Sequence, residues 1–212
     1  MSPLTGALTG GRGGLSVTAV LSLAFALLTL GPRPEASLPP GTARVLIQTL
    51  RGDITVELDT ARAPATAANF LRYVDAAYYD GARFHRTVRA SHQNGVAVPI
   101  GVIQAGLNST RVPKGFPPIA LERTSMTGLR HLDGAISMAR DGPDTATSGF
   151  FICIGDQPSL DYGGQRNPDG QGFAAFGRVV KGMAVVRRIQ GAHANGERLT
   201  PPIVIRSVRR LP

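Results

Sequence analysis

The chain has 212 residues, 42% of them hydrophobic and 17% charged, and it carries a formal net charge of +9. That length holds one well-packed domain and that composition excludes a disordered chain, while 6% aromatics and no tryptophan leave little for a stacked single-strand nucleic-acid platform. The positive charge comes from arginines spread along the chain, in no run longer than Arg187-Arg188 or Arg209-Arg210, so no nucleic-acid partner is expected.

Residues 1–36 read as a signal peptide or an N-terminal membrane anchor. Arg12 precedes a mainly apolar run of sixteen residues, Leu15 to Leu30, which Gly31-Pro32-Arg33-Pro34 ends. The run is long for a signal-peptide core and short for a comfortable span, and Pro34-Glu35-Ala36 makes a poor cleavage site. Export with cleavage is the first reading and an uncleaved anchor the second. Either puts the remainder outside the cytoplasm, in a periplasm or on a membrane. Residues 37–42 read as a linker and 43–212 as the folded domain.

Val45, Ile47 and Leu50 predict a strand, and Ile54, Val56 and Leu58 a second one, with Arg51-Gly52-Asp53 as a tight turn rather than an adhesion motif. Pro64 suits a first helical position, and Ala67, Phe70, Leu71 and Val74 form an apolar stripe, so 64–77 is a helix. Short apolar runs at 84–88, 100–105, 135–139, 150–154, 173–180 and 203–208 bring the strands to eight. A second short helix, 183–190, stops at Gly191. Many short strands between Gly/Pro turns indicate a mainly β sandwich or barrel. Two loops, 90–98 and 163–172, look like additions.

Cys153 is the one cysteine and lies in an apolar run, so it reads as a small buried hydrophobe. His85, His92, His131 and His193 are far apart and lack zinc-ligand spacing. Asp161, Asn167 and Asp169 do not fit a calcium loop. No Ser-His-Asp order, paired-carboxylate motif or phosphate loop is evident, and neither metal nor cofactor is expected. Asn108-Ser109-Thr110 fits a glycosylation sequon, a motif short enough to recur by chance.

Three motifs stand in order: Phe84-His85-Arg86, Val102-Ile103-Gln104, and Ser137 through Cys153, the last a strand, a Gly-Pro turn and a strand. Together they resemble the signature of the cyclophilin-type peptidyl-prolyl cis-trans isomerases, over about Arg44 to about Val208. The resemblance implies a closed eight-stranded barrel with two short helices. It implies an enzyme that isomerises X-Pro bonds in proline-containing segments of client proteins and assists their folding. The chain is expected to act as a monomer.

Prolyl isomerisation needs no covalent intermediate. Its barrier is the amide resonance, about 18–20 kcal/mol, and in the twisted transition state the prolyl nitrogen gains a lone pair. A catalyst needs a donor aimed at that nitrogen, an apolar pocket for the ring, and polar groups for the flanking carbonyls. By resemblance, Arg86 is the catalytic donor, its guanidinium a rigid fork that is always charged, and Gln104 bonds the substrate backbone or Arg86. Val102, Phe151, Leu160 and Phe173 match pocket positions. Phe151 is the strongest of these, since Phe150 points to the other face of the strand. Ala139 and Arg140 match positions whose backbone pairs with substrate. His85 is expected to pack and hydrogen-bond structurally.

Several positions depart from the family pattern. Gly101 replaces a pocket Phe, Val102 a frequent Met, Ser159 an indole found in cyclosporin-sensitive members, and Phe173 a pocket His. Arg140 and Gly149 replace an Asn and a Gln. The rival reading is a non-catalytic proline-peptide-binding or chaperone module on the same fold. Arg86, Gln104 and Phe151 together favour the enzyme, and the surface lost at Gly101 and Ser159 favours the binder.

Overall fold

Alternation sets the first hairpin. In the computed structural model, which describes residues 38–93, 95, 97–107 and 115–212, β1 (Thr42–Thr49) pairs antiparallel with β2 (Gly52–Asp59) along its whole length. Val45 and Ile47 face Val56 and Ile54, all wholly buried, while the residues between them are at least partly exposed. The turn residues are Leu50 and Arg51, so Gly52 and Asp53 already belong to β2. The leader reading of 1–36 and the sequon lie outside the described residues.

The remaining elements are α1 (Pro64–Asp75), β3 (Arg83–Val88), β4 (Val102–Gly106), α2 (Thr124–Thr127), β5 (Ala135–Met138), β6 (Phe150–Cys153), β7 (Ala175–Lys181), α3 (Met183–Gln190), β8 (Ala194–Asn195) and β9 (Arg198–Leu211). Eight strands follow the order β1-β2-β7-β5-β6-β4-β3-β9, and β9 returns to pair with β1. The sheet is therefore a closed antiparallel barrel with no free edge, as expected. β8 is a two-residue ninth strand on β9, too short for an apolar run to betray.

Both predicted helices form. α1 begins at Pro64 but preceding Ala63 offers no capping side chain. Glu122 supplies the cap from afar, accepting from the Ala65 and Thr66 N–H groups and the Thr66 hydroxyl. The buried face of α1 includes Phe70, whose ring meets Tyr79, Phe150 and Phe176 at 5.1–5.4 Å. α1 packs on β2, β7 and β9, and α3 packs on β2, β3 and β4. The four-residue α2 is a third helix that the sequence did not reveal, being barely one turn long.

The wall made by β3, β4, β6 and β5 is apolar inside and carries a second apolar cluster outside. Inward, Phe84, Ile103, Ala105, Ile136, Phe150 and Ile152 join the barrel core. Outward, Val88, Val102, Phe151, Cys153 and Ala135 form a second cluster with Ile100 and Leu160. A strand buried on both sides reads as a continuous apolar run, which is how Gly149–Ile154 reads.

Candidate active site

Between Phe84 and Arg86, β3 contains one residue more than β4. Phe84 pairs with Ala105 and Arg86 with Gln104, so two steps along β3 match one along β4. The register against β9 breaks at the same place, but there β9 carries the excess, Phe84 pairing with Ile203 and Arg86 with Arg198. His85 is the extra residue of a β-bulge. Regular alternation would put Arg86 on the face of Phe84, inside the barrel; the bulge turns it outward, beside Gln104 and Val88. His85 itself sits at the surface over Gly106 instead of packing into the domain. Partial burial, then the Arg86 and Arg198 charges, hold its pKa below the ordinary value.

Four side chains then lie in one row. Arg86 is opposite Gln104, Gln104 opposite Phe151, and Phe151 opposite Ser137. At roughly 4.8 Å per strand, Arg86 and Phe151 are about 10 Å apart in backbone position. The Arg86 Nη1 donates to Gln104 Oε1 at 2.8 Å, and its Nε and Nη2 reach Glu197 Oε2 at 2.8 and 2.7 Å. Guanidinium has five N–H groups. These contacts use three, leaving one on each terminal nitrogen.

A cleft of about 280 Å³ opens on this row. It is lined by all eight residues that the sequence pointed to: Arg86, Val102, Gln104, Ala139, Arg140, Phe151, Leu160 and Phe173. The Phe151 and Phe173 rings meet edge to face at 5.3 Å. Ile100, Asp141, Arg166 and Asn167 complete the lining and were not foreseen. A Cβ on Gly101 would fall 2.7 Å from the Ile154 carbonyl oxygen, so no side chain fits there. Ile100 supplies the apolar surface instead, 5% exposed within the outer cluster.

The two added loops meet at the cleft. Arg166 Nη1 donates to Gln93 Oε1 at 3.2 Å and to the Val98 carbonyl at 2.9 Å. Arg140 presents more than backbone. Its side chain lies over the Phe173 ring at 5.0 Å and bonds Asp169 and the Gly172 carbonyl. The Ala139 N–H is already taken by the Gly149 carbonyl at 2.8 Å. Among the described residues the Ala139 carbonyl and Arg140 N–H have no backbone partner.

Behind Phe151 the sequence missed a buried polar chain. His131 Nδ1 meets Asp161 Oδ1 at 2.7 Å, His131 Nε2 meets the Ser137 hydroxyl at 2.9 Å, and the imidazole stacks on Phe151 with planes 14° apart. Burial alone would raise the Asp161 carboxyl. Hydrogen bonds from the His131 ring and backbone, and the charges of His131 and Arg130, bring it below its ordinary value instead. Ser137 is wholly buried and does not line the cleft, so the chain supports the pocket floor and is not a nucleophilic triad.

The sequence matches the family model described as cyclophilin type peptidyl-prolyl cis-trans isomerase/CLD over residues 44–210. It is 35% identical to peptidyl-prolyl cis-trans isomerase A of Dickeya dadantii, across 90% of this chain and 96% of that relative. Peptidyl-prolyl cis-trans isomerase B of Escherichia coli is 33% identical, across 69% of this chain and 84% of its own. The fold matches a solved cyclophilin type isomerase of Cryptosporidium parvum with a TM-score of 0.65 at 23% identity, covering 81% of this chain and 98% of that one. A second structure of that protein, in the presence of the dipeptide ala-pro, matches with a TM-score of 0.64 at 22% identity, covering 80% and 99%. The barrel, the Arg86–Gln104 row and these relatives agree: the chain belongs to the cyclophilin-type peptidyl-prolyl cis-trans isomerases and catalyses cis-trans isomerisation of X-Pro bonds.

Proposed function

We propose that Arg86 is the donor that stabilises the twisted amide and that Gln104 orients it. The observation that carries this reading is the direct cross-strand pairing of the two, joined at 2.8 Å, with two guanidinium N–H groups left over beside an apolar pocket. The proline ring sits among Val102, Phe151, Leu160 and Phe173. The Ala139 carbonyl and Arg140 N–H pair with the substrate backbone and hold it still while the far side of the bond rotates. Arg86 gains a hydrogen bond as the prolyl nitrogen becomes pyramidal, so its contribution falls mainly on the transition state. Turnover of an Ala-Pro peptide by the parent and by Arg86→Ala tests this. A folded Arg86→Ala protein with normal turnover would make Arg86 a surface arginine.

The setting is part of the same proposal. The N-terminal 36 residues export or anchor the chain, and the enzyme acts as a monomer on proline-containing segments of proteins folding outside the cytoplasm. The apolar run Leu15 to Leu30 after Arg12 supports export. Fractionation of the full chain is the test, and recovery of all of it in the cytosol would contradict the proposal.

A further inference from the structure

We infer that Glu197 is a positioning residue for Arg86: its carboxylate, delivered by the β8–β9 turn, sets the direction in which the guanidinium presents its free N–H groups. This rests on the catalytic role proposed for Arg86. Asn195 pairs with Arg198, which leaves Gly196 and Glu197 as a two-residue turn, with Gly196 at φ +59. The turn is bonded to the strand that bears Arg86. The Glu197 carbonyl accepts from the Thr87 N–H at 2.8 Å, and Arg198 pairs with Arg86. From there the side chain bends back to Arg86, where one oxygen receives both Nε and Nη2.

The geometry needs this second grip. The Arg86 side chain is 33% exposed and has a flexible stem, and a single bond to Gln104 leaves a planar group free to swing about it. Bonds on two sides fix the plane and aim the remaining N–H groups, and catalysis by a fixed donor depends on such aim. Glu197 does not line the proline cleft. It lines a neighbouring hollow with Thr87, Arg89, His92 and Gln93, so it reaches the substrate only through Arg86. At 43% side-chain exposure it adds nothing to either apolar cluster, so its loss leaves the fold intact.

A double-mutant cycle in the full chain decides the matter, with kcat and KM on an Ala-Pro peptide and melting temperature for each protein. Glu197→Ala is expected to lower kcat about tenfold with KM within about twofold and melting unchanged. Glu197→Gln keeps an acceptor in the same place and should recover most of that loss. In the Arg86→Ala background Glu197→Ala should cost nothing more. A kcat loss under about threefold, or a loss that persists without Arg86, overturns the inference. Normal turnover by Arg86→Ala would instead remove the catalytic reading itself, and this inference with it. The Arg86 Nε–H resonance gives a check independent of rate: it should lose its protection from solvent exchange in Glu197→Ala, and retained protection also overturns the inference.

Discussion

Arg140 and Asp169 tie the 163–172 loop to the cleft. The two terminal nitrogens of Arg140 bond the two carboxylate oxygens at 2.7 and 3.0 Å, and only 1% of the Arg140 side chain is exposed. Where the family pattern has a short amide, this chain has a buried cation that also supports Phe173. Asp169→Asn leaves that cation without its charge partner, whereas Arg140→Ala frees the loop. Both variants should raise KM for an Ala-Pro peptide, by about tenfold for Arg140→Ala, with a smaller change in kcat. An unchanged KM in both would show that the loop is only attached to the cleft and does not shape it.

Arg86→Lys should behave nearly as badly as Arg86→Ala. The ammonium keeps the charge, but it cannot hold Gln104, Glu197 and the substrate from one plane. A loss of about a hundred- to thousandfold in turnover is expected for both, the range for deleting one preorganised donor. Phe151→Ala should fail differently. Phe151 is 5% exposed and stacks on His131, so truncation should cost about 3–5 kcal/mol of stability as well as pocket surface. Melting curves separate the two kinds of damage, and equal melting losses in the Arg86 and Phe151 variants would refute the distinction.

Acid should unfold the protein through its aspartates. Asp75 and Asp169 lie below their ordinary value through hydrogen bonds from Arg210 and Arg140. Burial opposes the same shift in Asp59 and Asp161, but Arg62 and His131 outweigh it. With folded-state values under an ordinary value of about 3.9, the unfolded chain binds more protons in acid and stability rises with pH there. The contribution is complete above about pH 5 and is lost as the pH falls through the folded-state values. Melting temperature should therefore fall steeply below about pH 4, and Asp161→Asn should lower it at neutral pH and flatten the acid slope. A level profile down to about pH 2.5 would contradict this.

Cyclosporin should bind weakly. Ser159 replaces the indole of sensitive relatives, and its carbonyl instead accepts the Arg166 N–H at 3.1 Å, holding the added loop beside the pocket. Ser159→Trp restores apolar area and an N–H donor and should tighten binding. Nanomolar inhibition of the parent protein would refute this.

Much of this was legible along the chain because the barrel is made of local alternation. The eight strands and two longer helices follow from period and punctuation, and Phe84-His85-Arg86 with Val102-Ile103-Gln104 located the site. What escaped was set by distant partners. Glu197 follows Arg86 by more than a hundred residues, and only the closure of β9 onto β3 brings them together. His131, Ser137 and Asp161 follow no recognisable triad order, and they meet because β5 pairs with β6 while the segment after β6 folds back. Ile100 was hidden behind Gly101, whose lack of a side chain reflects the nearness of the Ile154 carbonyl.

The bulge at His85 gives the site an arithmetic of its own. Phe84 and Arg86 face opposite sides of the wall because the number of steps between them along β3 exceeds by one the number along β4. His85→Ala keeps that number and should leave the enzyme working. Deleting His85 removes the bulge and restores one-for-one pairing with β4, which still leaves Arg86 opposite Gln104 and on the other face from Phe84, so that variant should keep turnover as well. This stretch of β3 can thus change in composition, and even lose its extra residue, so long as Phe84 and Arg86 keep opposite faces of the wall.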